Sequence, residues 1–152
     1  MDQDAFRRTY REINERFCVY EKSILSRKCT CSKAKKLNIA EREGVHCTSD
    51  EAQGQCLEFL ERLRHLARFT LKSNDEKAVL PHGKAMRLQV GGLCGLFKAL
   101  HEDQPIPDTI DDVFSLINQA RDDFDGLDNL PYQPLIQQVA AYKGRLRSKL
   151  KT

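Results

Sequence analysis

The chain has 152 residues, of which 40% are hydrophobic and 31% are charged, and its formal net charge is +3. This length suits one domain with a sizeable core, predicted over residues 1–152. The weak positive charge gives little support to nucleic-acid binding. No apolar run approaches the roughly 18 residues of a membrane span, and no signal segment follows the acidic start. We therefore expect a soluble, cytoplasmic protein.

The first predicted element is an amphipathic helix over residues 4–26, whose apolar side chains recur in steps of three and four. These side chains are Phe6, Tyr10, Ile13, Phe17, Tyr20 and Ile24. Cys18 lies beside the apolar stripe. The Lys- and Arg-rich residues 27–47 break the pattern, which predicts a loop that holds a short helical piece at best, over residues 33–43.

A second helix is predicted from Thr48 to about Leu71. Thr48 followed three residues later by Glu51 is a capping-box pattern, with Thr48 as the N-cap. We expect the first two helices to form an antiparallel α-hairpin over residues 4–71. The Cys- and Lys-rich loop would close this hairpin.

Three C-terminal helices are predicted over about residues 84–151. Helix three runs from Met86 to Leu100, although Leu88–Val90 is also compatible with a short strand. Gly91 and Gly95 lie four residues apart in this helix, which predicts that another backbone comes close to it.

The fourth helix would begin at a Thr109 cap and extend to Phe124, and the last would run from Leu135 to Leu150. The expected fold is therefore all-α, a single-domain bundle of about five helices.

Five of the six cysteines fall in the first 56 residues. They are Cys18, Cys29, Cys31, Cys47 and Cys56. Clustered cysteines in a reducing compartment are more often metal ligands or redox thiols than disulfides. In the predicted hairpin, Cys18 and Cys56 lie at a similar height, ~12 Å from the loop end. The loop cysteines could fold back over them, which predicts a ligand set of four of these five, with the loop cysteines as the safest ligands.

The predicted occupant is an iron–sulfur cluster, and a four-iron cluster is favoured over a two-iron cluster. Structural zinc is the alternative, and His46 is then a possible substitute ligand. Zinc sites usually show two close cysteine pairs, whereas this chain has only Cys29-Thr30-Cys31. The basic side chains of the loop are expected to lower the thiol pKa values. They are Lys28, Lys33, Lys35 and Lys36.

Burial offers a simpler explanation for some of these residues, because free cysteine often packs as a small hydrophobe. Cys94 is interpreted as core, among Leu93, Leu96 and Phe97. Cys56 lies on the apolar stripe of the second predicted helix and, considered alone, would be interpreted as a core residue. Cys29 and Cys31, in contrast, are predicted to have no core to join.

The sequence favours a small, non-enzymatic iron–sulfur protein that transfers electrons, senses redox state or assists a larger redox enzyme. Its partner would be that enzyme or another electron carrier. One alternative is a zinc-stabilised helical module whose basic loop and C-terminal helix hold a protein or, with weaker support, nucleic acid. A third is a thiol switch at Cys29, ranked last because a C-x-C disulfide closes a small, strained ring.

Overall fold

The chain forms a set of helices with a two-stranded antiparallel sheet inserted near its N-terminal end. A computed structural model of the protein describes residues 3–143, apart from the side chains of residues 3, 4, 6, 7 and 11. The N-terminal elements are α1 (Gln3–Ile13), α2 (Glu21–Leu25), β1 (Ala34–Ile39), β2 (Arg42–Cys47), α3 (Asp50–Leu66) and α4 (Arg68–Leu71). The C-terminal elements are α5 (His82–Met86), a π-helical turn (Arg87–Gly91), α6 (Gly92–Leu100), α7 (Val113–Asp123), a 3₁₀ turn (Leu127–Asn129) and α8 (Tyr132–Ala141).

The prediction of an all-α fold is wrong, because the expected loop holds the β-hairpin. Strands β1 and β2 pair from Ala34 opposite Cys47 to Ile39 opposite Arg42. The short helix expected over residues 33–43 does not form. Its Lys, Ala and Glu residues favour helices, but such preferences are weak and tertiary pairing overrides them.

The predicted first helix is also interrupted, so the α-hairpin is wrong as well. Residues 14–20 leave the helix between α1 and α2 and run along the free edge of β2. The Cys18 N–H donates to the Val45 carbonyl at 3.0 Å, and the Cys47 N–H donates to the Arg16 carbonyl at 2.7 Å. The buried Asn14 side chain also donates to the Val45 carbonyl, at 2.9 Å. These bonds satisfy a strand edge that would otherwise be unpaired.

The start of α3 is one residue from the predicted cap. Ser49 is the N-cap, and its side chain accepts from the Ala52 N–H at 3.1 Å. Thr48 instead donates its hydroxyl to the Lys33 carbonyl at 2.9 Å, which ties α3 to the hairpin. The predicted helix to Leu71 divides at Ala67 into α3 and α4.

Elements α5, the π turn and α6 follow one another without a break, so Leu88–Val90 is helical and the alternative of a short strand is wrong. The predicted close approach of another backbone is confirmed. A Cβ built on Gly91 would lie 2.7 Å from Val139 Cα, and one on Gly95 would lie 2.8 Å from Leu135 Cα. The neighbouring backbone is that of α8.

The last two helices are shorter than predicted. Helix α7 begins after Asp112, whereas the expected cap, Thr109, donates its hydroxyl to the Arg27 carbonyl at 3.4 Å. Helix α8 spans Tyr132–Ala141. The positions Leu146 and Leu150 of the predicted last helix lie outside the described residues.

The core lies where α3, α6, α7 and α8 meet. Its fully buried side chains include Phe59, Leu63, Leu93, Leu96, Ile117, Leu135 and Val139. None of the helices within residues 3–143 is long and apolar enough to cross a membrane.

Substituting Gly95 by Ala should destabilise the protein by about 1–3 kcal/mol, because the added methyl group meets backbone atoms of α8, which cannot rotate away. Gly54→Ala is the matched control. It lies in α3, and a Cβ there would meet nothing within 4 Å. The control should stabilise α3 by up to about 1 kcal/mol. Urea unfolding of both variants measures the difference, and equal stability would contradict the close contact.

Candidate metal centre

Four cysteines from four separate segments line one small, mainly apolar cavity. They are Cys18, Cys31, Cys47 and Cys56. Cys18 comes from the segment beside β2, Cys31 from the loop before β1, Cys47 from the end of β2 and Cys56 from α3. The structure thus brings together positions that are up to 38 residues apart in sequence (18 to 56).

Backbone pairing positions Cys18 and Cys47. The two hydrogen bonds that join residues 16–18 to β2 involve the N–H groups of these same two cysteines. Cys47 also directs its thiol toward the Ser49 carbonyl, 3.2 Å from the sulfur. The two thiols therefore lie on adjacent extended segments at one end of the sheet.

The Cys29-Thr30-Cys31 loop is held by the C-terminal half of the chain. The Thr30 N–H donates to the Ile110 carbonyl at 2.9 Å, and the Val113 N–H donates to the Thr30 carbonyl at 3.0 Å. A carboxylate oxygen of Asp112 accepts from the Ser32 N–H at 3.0 Å. These contacts fix the loop against the start of α7. They also bury Cys29 completely, so the expectation that Cys29 has no core to join is wrong.

Cys56 lies in the second turn of α3 and is 7% exposed. It reaches the same cavity as Cys18, although the predicted pairing of two long helices does not exist. The convergence arises instead from the β-hairpin, which carries the chain back to the start of α3.

Tyr20 is the principal site residue that the sequence pattern did not single out. Its side chain is 1% exposed and lines the cysteine cavity. Its hydroxyl is buried and has no hydrogen-bond partner among the described residues. Burying an unsatisfied hydroxyl costs about 1–3 kcal/mol. The sequence signals were its place on the predicted apolar stripe and its position two residues after Cys18.

Burial, and not the basic loop, has the largest effect on the pKa of four of these thiols. It raises the pKa of Cys18 and of Cys29 to about 12, and it raises the pKa of Cys31 and Cys56 as well. Mutual repulsion between neighbouring thiolates adds to the effect. The prediction that lysines lower these pKa values is therefore wrong.

Of the four lysines of the basic loop, Lys33 is among the residues that line the cavity. Lys33 Nζ lies 5.2 Å from the centroid of the Phe114 ring, in a cation–π contact. Lys35 and Lys36 are exposed on β1. The positive charge of Lys28 acts on Cys94 instead.

His46 and Cys94 lie outside the cavity lining. His46 precedes Cys47 in β2, so the two side chains point to opposite faces. Its Nδ1 lies 2.9 Å from the side-chain oxygen of Asn14. Cys94 lies on α6 and is partly exposed, so it is less buried than a core position would require.

The cavity is narrow in its present form. About 10 Å³ is open to the centre of a water molecule, which is room for about one water. Within residues 3–143, no three His, Cys, Asp or Glu side chains are arranged around a point that could hold a single metal ion. Either a single ion or a cluster would therefore require the thiols to shift.

Comparison of the chain with protein-family models, curated proteins and solved structures found no match. The site must be interpreted from its own chemistry.

The metal-free protein should lose stability as the pH rises above about 9. An unfolded thiol releases its proton near its ordinary pKa of 9.0, whereas folded Cys29 keeps its proton until about pH 12. Alkaline pH therefore favours the unfolded state, by about 1.4 kcal/mol per pH unit for each such thiol. The free energy of unfolding, measured from pH 8 to 10.5, should fall less steeply in Cys29→Ala.

Ser26→Ala, which removes no titrating group, should retain the wild-type slope. An unchanged slope in Cys29→Ala would show that the Cys29 thiol titrates alike in the folded and unfolded states.

Proposed function

We propose that the protein binds an iron–sulfur cluster in the cysteine cavity and acts in electron transfer, in redox sensing or as an accessory to a larger redox enzyme. The observation that carries this proposal is the convergence of four thiols, from four separate segments, on one apolar cavity. Iron–sulfur clusters are held by four cysteine thiolates. We assign the protein no catalytic role of its own.

The cavity-lining thiols are the proposed ligands, and Cys29 is the proposed spare. Cys29 is fully buried and lies close enough to Cys18 and Cys31 for their charges to interact, but it does not line the cavity. The four ligands would then come from the segment before α2, the loop before β1, strand β2 and helix α3.

Tyr20 supports the presence of a sulfur-rich ligand. Its buried hydroxyl interacts electrostatically with four of the cysteines and has no acceptor among the described residues. A thiolate or an inorganic sulfide at this point would accept its hydrogen bond. Hydrogen bonds to the sulfurs are one of the means by which proteins adjust a cluster's reduction potential.

The described side chains do not group three or more ligands around a metal position. The ligands of a tetrahedral zinc lie ~2.3 Å from the metal, so zinc binding would draw the thiols toward one point. A cluster would also require the thiols to move.

Zinc remains the second candidate, since the narrowness of the cavity favours it. Four thiolates would then form a closed structural site, and the protein would be a binding module without redox chemistry. His46 would have to turn away from Asn14 to replace one of the thiols.

Either metal must displace protons from thiols whose pKa is raised by burial. We place the protein in the cytoplasm, where free thiols persist. Its partner would be a redox enzyme or an electron carrier.

Purification without air, followed by iron, sulfide and zinc analysis, separates the candidates. The proposal expects a brown protein with iron and acid-labile sulfide, or a protein that acquires both when iron and sulfide are supplied. One zinc per chain and no sulfide would support the zinc module. A folded protein that takes up neither metal would overturn both.

Cys31→Ser should abolish metal binding, because it removes a cavity thiol that the Asp112 contact holds in place. Cys94→Ala is the control. It removes a cysteine from outside the cavity, should retain full metal content and should cost only about 1 kcal/mol of stability. Metal content per chain is the measurement, and equal loss in both variants would contradict the assignment of the cavity.

Tyr20→Phe should have opposite effects on the two forms of the protein. In the metal-free protein it removes an unsatisfied buried hydroxyl, so stability should be unchanged or should rise by about 1 kcal/mol. In the loaded protein it removes a hydrogen bond to sulfur, so the reduction potential should fall by roughly tens of millivolts with iron content retained.

Unfolding and redox titration measure the two effects, and Tyr132→Phe, which changes a hydroxyl bonded to the Leu127 carbonyl, is the control. A potential equal to that of the wild type would show that the Tyr20 hydroxyl does not contact the cluster.

A further inference from the structure

A second cavity, of about 890 Å³, opens on another part of the surface. Its walls come from the chain after α2, from α5 with the first residue of the π turn, and from the residues that follow α8. The described residues that line it are all different from those of the cysteine cavity. Its volume lies within the range of about 300–1,000 Å³ that is typical of small-molecule sites.

Positive charge dominates this second cavity. Its cationic side chains are Lys28, Lys84, Arg87 and Lys143, and His82 also lines it. Among the described residues, no Asp or Glu lines it. Within residues 3–143, none of the four cations forms a salt bridge with a carboxylate.

Two of the cations are positioned by neutral groups. Lys84 Nζ donates to the Lys72 carbonyl at 3.2 Å. Arg87 donates to the carbonyls of Val139 at 3.3 Å and Ala140 at 3.4 Å. These bonds restrain the side chains and leave their full charges uncompensated, so an anion entering the cavity would meet no competing carboxylate.

The remaining wall is apolar and aromatic. Pro81, Met86 and Tyr142 contribute to it. The Tyr142 hydroxyl is shielded from solvent, so it does not face this open cavity. The cavity therefore offers an apolar surface beside several cations.

We propose that this cavity binds a small phosphorylated molecule of nucleotide size. Phosphate oxygens would accept charge-assisted hydrogen bonds from Lys28, Lys84 and Arg87. The organic part would pack against Met86 and the Tyr142 ring. More than one phosphate is expected, because a single carboxylate would leave most of the cations uncompensated.

Calorimetric titration of the full-length protein with ADP and with pyrophosphate, at low and moderate salt, tests this site. Wild-type protein should bind ADP, and salt should weaken the binding. The double variant Lys28→Gln, Lys84→Gln should lose affinity by tenfold or more, because two charged contacts are removed. Arg87 is left intact because it also holds the end of α8.

The matched control is the double variant Lys35→Gln, Lys36→Gln, which removes the same charge from the exposed face of β1. It should bind ADP as the wild type does, and thermal unfolding should show that both variants are folded. Weaker binding of pyrophosphate than of ADP would support the role of the apolar wall. No binding of either probe at millimolar concentration, or an equal loss of affinity in the control, would overturn the proposal.

Discussion

The structure depends on the pairing of residues 16–18 with the edge of β2. Two backbone hydrogen bonds, reinforced by the buried Asn14 side chain, interrupt what would otherwise be one long helix. The same bonds place Cys18 beside Cys47 and direct the chain toward α2. Tyr20 is then carried into the cavity between them. A short run of sheet pairing thus organises the thiols, the buried hydroxyl and the entry into the helical core.

The chemistry of the cavity follows from burial. Burial raises the pKa of Cys18, Cys31 and Cys56, so these thiols are poorly suited to act as thiolate nucleophiles. The loop that carries Cys31 is bonded to Ile110 and Asp112. Metal binding in the cavity would therefore affect the C-terminal half of the molecule as well as the β-hairpin.

The sequence predicted part of this arrangement for reasons that are physical. Spacing of three and four residues located α3, α6, α7 and α8, because each buries one apolar face. The Gly91 and Gly95 spacing correctly indicated a close backbone contact. The β-hairpin was not predicted because polar and apolar residues hardly alternate along β1. Its lysines also favour helices. The sequence predicted that the cysteines converge, but it attributed this to an α-hairpin that does not form. The pairing of residues 16–18 with β2 joins distant parts of the chain, so no local sequence pattern indicates it.

The π-helical turn at Arg87–Gly91 has a consequence for how this chain can vary. A π turn holds one residue more than an α-turn, and that residue changes the angular phase of everything after it by about 100°. Here the wide turn lets Gln89 meet the Ser23 hydroxyl at 2.5 Å on one side. Gly91 and Gly95 still face α8 on the other. A one-residue deletion in this turn would make the helix more regular. It would also rotate the side chains of α6 away from their contacts with α8. The segment should therefore tolerate exchanges of side chain far better than changes of length.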